Sequence, residues 1–142
     1  MQVLLILSQI WKSGAEIYLD KTDDRIGIKK QNLIPADVMK AAEQNFPAID
    51  NWFQSWKNAS AEKITILKMV HMLCGWQESA KINNWFCNDE DSLMMFIDWT
   101  SILARNGWKD QYDDYRQYEN DESDKLAKKL YIRAVTYAKK GA

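Results

Sequence analysis

His71 is the only histidine in the 142-residue chain. It sits among Met69, Val70, Met72 and Leu73 on a helical pattern. Catalysis through it requires a nucleophile or carboxylate brought alongside by the fold. A packed helical histidine is the simpler reading. Cys74 and Cys87 are the only two cysteines. They lack Cys-x-x-Cys spacing, and one histidine is too few for a Cys2His2 zinc site. The expectation is two buried, reduced thiols acting as small hydrophobes. Asp110, Asp113, Asp114, Glu119, Asp121, Glu122 and Asp124 crowd into fifteen positions. The first three are at helical spacing, so their carboxylates would share a face, an arrangement able to hold Mg²⁺ or Ca²⁺ or to do acid–base work. The segment lacks the central Gly and final Glu of an EF-hand, and a solvated acidic face is the commoner outcome. No Gly-rich phosphate loop, Gly-x-Ser-x-Gly elbow or His-Glu-x-x-His motif occurs. The expectation is a non-enzymatic protein with no cofactor and no metal.

Binding is better supported. Lys125, Lys128, Lys129, Arg133, Lys139 and Lys140 follow the acidic cluster without an intervening acid. Lys125, Lys128, Lys129 and Arg133 line one side of the last helix and are the candidates for tracking a phosphate backbone. The neighbouring acids partly cancel their field. Arg25, Lys29 and Lys30 bracket a β-prone stretch. On an edge strand such charges discourage aggregation, and they also steer an acidic peptide that adds as a further strand. Charge pattern alone weighs these two readings equally. Seven tryptophans are present. Most fall at core spacing, but Trp99, two positions after Ile97 and beside Asp98, is placed as a partly exposed anchor for a partner.

These residues must be positioned by a mostly helical chain. Hydrophobic residues are 46%, charged residues 27%, and the formal net charge is −1. That balance excludes a mainly disordered chain and a protein held to nucleic acid by bulk charge. A spanning helix needs about 20 apolar residues, and Val3–Leu7 is too short. With no basic start before it, this run does not resemble a signal peptide, so the expected compartment is the cytoplasm, with no membrane partner.

Leu4, Leu5, Ile6, Leu7, Ile10 and Trp11 predict a helix over 2–13, closed by Gly14. Ile17–Leu19 and Ile26–Ile28 predict a hairpin across the polar turn Asp20–Asp24. Pro35 suits the start of a helix carrying Val38, Met39, Ala42 and Phe46. Pro47 interrupts, and Ile49, Trp52, Phe53 and Trp56 mark another helix. The small, polar run 57–61 is the best boundary in the chain, and beyond it no strand signal occurs. Helices are expected with faces Ile64, Leu67, Met69, Val70, Leu73 and Cys74; Ile82, Trp85 and Phe86; Leu93, Met94, Phe96, Ile97, Ile102 and Leu103; an aromatic stripe of Trp108, Tyr112 and Tyr115; and Leu126, Leu130, Tyr131, Ala134, Tyr137 and Ala138. The fold class is α+β, mostly α: an αββαα module over 1–58, then a helical bundle over 59–142.

The N-terminal order resembles the TubC-type N-terminal docking domain of hybrid nonribosomal peptide and polyketide synthetase subunits. The match rests on Leu4–Ile10 leading to Ser13-Gly14-Ala15, on Glu16–Asp20, on Asp23-Asp24, and on Arg25-Ile26-Gly27-Ile28. Leu33-Ile34-Pro35, Val38-Met39, and Ile49 with Trp52-Phe53 complete it. It covers residues 1–58, and no family is recognised in 59–142. The resemblance implies a small αββαα fold, commonly a homodimer, whose second strand receives an acidic C-terminal peptide of another protein. It marks Arg25, Ile26, Gly27, Ile28, Lys29 and Lys30 as that strand. The leading expectation is therefore a protein–protein interaction adaptor. The alternative is a nucleic-acid-binding accessory protein of a mobile element or replication system, acting through Lys125, Lys128, Lys129 and Arg133.

Overall fold

A computed structural model describes residues 2–140. The protein is α+β and mostly α, with one two-stranded antiparallel hairpin and seven α-helices among the described residues. The chain divides into two compact units: one runs to Ser60 and also takes in Gly75–Gln77, and the other holds Ala61–Cys74 and the chain from Glu78 onward.

The first unit is built on α1 (Val3–Lys12), whose Leu4, Ile6, Leu7 and Ile10 are buried. Ser8 is buried too, and its hydroxyl donates to the Leu5 carbonyl at 2.7 Å, so no polar group is stranded. Ser13 closes the helix by donating to the Ile10 carbonyl at 2.6 Å, and Gly14 turns the chain away at φ +92°. Strands β1 (Glu16–Asp20) and β2 (Arg25–Lys29) follow. Helices α2 (Ala36–Gln44) and α3 (Phe46–Trp56) complete the αββαα order. Pro47 lies in the first turn of α3, where a missing N–H costs nothing; it starts this helix. Phe46, expected on the buried face of α2, is instead exposed at the junction, where Asn45 ends one helix and begins the next. Trp11 packs between Trp52 (centroids 6.1 Å apart) and Trp76 (6.4 Å).

The second unit holds α4 (Ala61–Leu73), α5 (Ala80–Asn88), α6 (Glu90–Arg105) and α7 (Asp121–Lys140). α4 buries Ile66, Met69, Val70 and His71, while Leu73, expected inside, is exposed. α6 buries Ser92, Phe96, Trp99 and Leu103, a stripe at steps of four, three and four. Met94 and Ile97, expected on that face, are exposed. Trp99, expected as a partly exposed anchor, is fully buried. It belongs to a run of packed rings: Trp85–Phe86 (4.7 Å), Phe86–Phe96 (5.5 Å) and Phe96–Trp99 (5.8 Å) are stacked, and Trp99 meets Tyr115 edge to face (5.5 Å).

The expected helix through Trp108, Tyr112 and Tyr115 does not form. Gly107 takes φ +119°, the Asp110 carboxylate accepts the Tyr112 N–H at 2.9 Å, and the Asp114 carboxylate accepts the Arg116 N–H at 3.0 Å. These short side-chain turns take backbone donors that a helix would use. Only a 3-10 turn, Tyr115–Tyr118, follows. α7 then starts from a reciprocal cap: Ser123 Oγ accepts the Asn120 N–H (2.8 Å) and Asn120 Oδ1 accepts the Ser123 N–H (2.9 Å).

Candidate functional site

β1 and β2 pair antiparallel, with Glu16 opposite Lys29, Ile17 opposite Ile28, Tyr18 opposite Gly27, Leu19 opposite Ile26 and Asp20 opposite Arg25. Side chains alternate between faces along a strand. Ile17, Leu19, Ile26 and Ile28 therefore share one face, with Ile17 buried and the other three half-buried. Arg25, Gly27 and Lys29 share the other with Glu16, Tyr18 and Asp20. The Tyr18 ring lies across Gly27: a Cβ added there would stand 2.6 Å from Tyr18 Cζ. The Lys29 ammonium sits 5.3 Å from the centre of the same ring.

Among the described residues the sheet has only these two strands, so there β2 has one paired edge and one unpaired edge. Among the described residues, 26–29 make no backbone hydrogen bond beyond the ladder to β1. The strand is bracketed by two residues at φ +58°, Asp24 and Lys30. Aspartate tolerates the left-handed region; for lysine it costs about 1–2 kcal/mol. The turn before β2 is held firmly. Asp20 Oδ1 accepts from the Thr22 hydroxyl (2.7 Å) and N–H (2.9 Å), which holds its carboxyl below the usual carboxylate range. Asp23 accepts the Arg25 N–H at 3.0 Å. Lys57, just past the end of α3, pairs with Asp24 at 2.6 Å, and Gln54 of α3 donates to the Asp24 carbonyl at 3.1 Å.

All six residues singled out on this strand, Arg25, Ile26, Gly27, Ile28, Lys29 and Lys30, thus lie along one open edge and its last turn. The register adds what charge counting misses. Arg25 and Lys29 each stand opposite a carboxylate, so their field is partly cancelled, and Lys30 alone has no acid across the ladder.

Of the other candidates, three lysines stay exposed on one side of α7, and the rest are dispersed or occupied. Lys125, Lys128 and Lys129 are exposed on α7. Arg133 is engaged: its guanidinium donates to Asp89 Oδ1 at 2.9 Å and to Ser92 Oγ at 2.7 Å. Asp89 also accepts from the Ser92 hydroxyl (2.6 Å) and from Trp85 Nε1 (3.3 Å). The Ser92 hydroxyl, with help from the Ser92 N–H and Arg133, pulls the Asp89 carboxyl down to about 2. Releasing Arg133 to a phosphate would leave that carboxylate without its cation. The acidic cluster shares no helical face. Asp114 is held by Arg116, with both of its oxygens 3.0 Å from Nε. Asp113 accepts from the Tyr118 hydroxyl at 3.3 Å, and Glu122 pairs with Arg105. No group of three or more potential ligand side chains is placed to hold a metal ion among the described residues. The thiols also differ from expectation: Cys74 is half-buried and Cys87 exposed.

No helix among the described residues is long and apolar enough to cross a membrane. No family model matches the chain, and no curated protein or solved structure does either.

Proposed function

We propose that the protein is a non-enzymatic adaptor, acting in the cytoplasm, that receives a segment of another protein on the unpaired edge of β2. The observation that carries this reading is a five-residue strand with one edge free of backbone partners and its turn anchored from α3. Strand addition draws affinity from main-chain hydrogen bonds and specificity from alternate side chains. The incoming segment would place apolar residues beside Ile26 and Ile28. Acidic residues would lie toward Arg25 and Lys29, with one near Lys30. The resemblance to TubC-type docking domains supports the same strand and an acidic peptide as its occupant.

The test is capture of partners from the source cells, with and without nuclease, by the wild type and by a variant carrying Arg25→Ser, Lys29→Ser and Lys30→Ser. Neutralisation is preferable to reversal, because glutamates at 25 and 29 would face Asp20 and Glu16 and strain the hairpin itself. A stoichiometric, nuclease-resistant partner lost in the variant is the expected result. The idea fails if every partner stays bound to a variant whose circular dichroism is unchanged.

A further inference from the structure

The second unit contains a concave site that the adaptor reading does not use. A groove of about 410 Å³ opens between α4, α5 and the C-terminal half of α7. That volume is within the range of small-molecule sites, about 300–1,000 Å³. Its surface is mostly apolar, with Ile82 and Trp85 from α5 and Ala134 and Ala138 from α7; Thr65 and Asn84 also line it. Trp85 is fixed in place by its N–H donating to Asp89. The Tyr137 hydroxyl, at the rim, is held by Asn88 Nδ2 (3.3 Å) and the Asn84 carbonyl (3.4 Å).

Among the described residues, Lys81 is the only charged one lining the groove. It forms no ion pair among the described residues, unlike Arg105, Arg116 and Arg133 of the same unit. A mostly apolar lining with one lysine that forms no ion pair among the described residues favours a ligand with an apolar body and one anionic end. The geometry points to a small-molecule site for an aliphatic carboxylate, its chain against Trp85 and Ile82 and its carboxylate at Lys81. This site is independent of the β2 edge, and neither inference depends on the other.

Decanoate, kept below its micelle threshold, is the probe, and decanol is the uncharged control. The readout is the indole N–H signal of Trp85 in a ¹H–¹⁵N correlation spectrum, assigned with Trp85→Phe. Decanoate is expected to shift it saturably and to bind about two- to fivefold more tightly than decanol, the range of a solvent-accessible ion pair. Lys81→Glu, a change at an exposed helical position, should erase that preference. Ala138→Trp, also at an exposed position, should fill the groove and abolish the shift without lowering the thermal midpoint. A Trp85 signal unmoved by decanoate would overturn the proposal. So would equal affinity for decanoate and decanol, or undiminished binding to Ala138→Trp.

Discussion

The β2 edge and the Asp89 cluster make opposite use of polar groups. At Asp89 both carboxylate oxygens are taken, by a serine hydroxyl and N–H, an indole and an arginine. These tie the α5–α6 junction to α7. Along the outer edge of β2, residues 26–29 leave a row of backbone donors and acceptors without partners among the described residues. Buried or half-buried charge tolerates no vacancy, because desolvation without compensation is costly. A solvated strand edge tolerates one, since water serves until a better partner comes. Availability for binding is therefore decided by neighbours, and residue type alone is a poor guide to it.

Three perturbations sharpen that contrast. The largest effect is expected from Trp99→Ala, which empties the centre of the stacked-ring run. It should destabilise the second unit by about 3–5 kcal/mol in urea unfolding. Trp99→Phe should cost far less, because the Trp99 indole N–H has no hydrogen-bond partner among the described residues to lose. Equal losses would show that the indole is bonded after all.

Next comes Asp89→Asn, which can still cap α6 but removes the charge that pairs with Arg133. A loss of about 2 kcal/mol at neutral pH is expected from replacing a charged hydrogen-bond acceptor by a neutral one. The folded carboxyl lies near 2 against an unfolded value of 3.8. Its contribution is therefore complete above about pH 4 and disappears as pH falls toward 2. Stability curves of wild type and Asp89→Asn should converge across that window. Curves that stay parallel below pH 4 would mean that Asp89 is not the group titrating.

The smallest effect is expected at the hairpin. Lys57→Ala removes the exposed pair with Asp24 and should cost at most about 1 kcal/mol, less at high salt. A loss comparable with Asp89→Asn would erase the distinction between the two regions.

The hairpin was legible because its signals are local: β-prone triplets, a polar turn, and a glycine that stops the helix before it. The helical faces carrying Ile82, Trp85 and Phe86 and carrying Phe96 and Leu103 were legible from periodicity. The rest of the inward face of α6 was not. Ser92 is buried because Arg133, 41 residues on, reaches its hydroxyl, and periodicity cannot carry a contact of that span. The 108–115 stretch misled for the opposite reason. Its aromatic spacing fits a helix, but Asp110 and Asp114 each take a nearby backbone N–H, a competition that hydrophobic patterning ignores. On β2 the candidate residues were readable one by one. Their pairing with Glu16 and Asp20 required the register.

The two left-handed residues that bracket β2 set a ruler on anything that docks there. Between Asp24 and Lys30 lie five residues of extended backbone, about 17 Å at the usual rise per residue. A second chain can zip along that length and no further, since the backbone turns out of line at both ends. So short a seam suits brief, exchangeable contacts made many times over. It also gives little purchase to the end-on stacking by which long, flat strands grow into fibres.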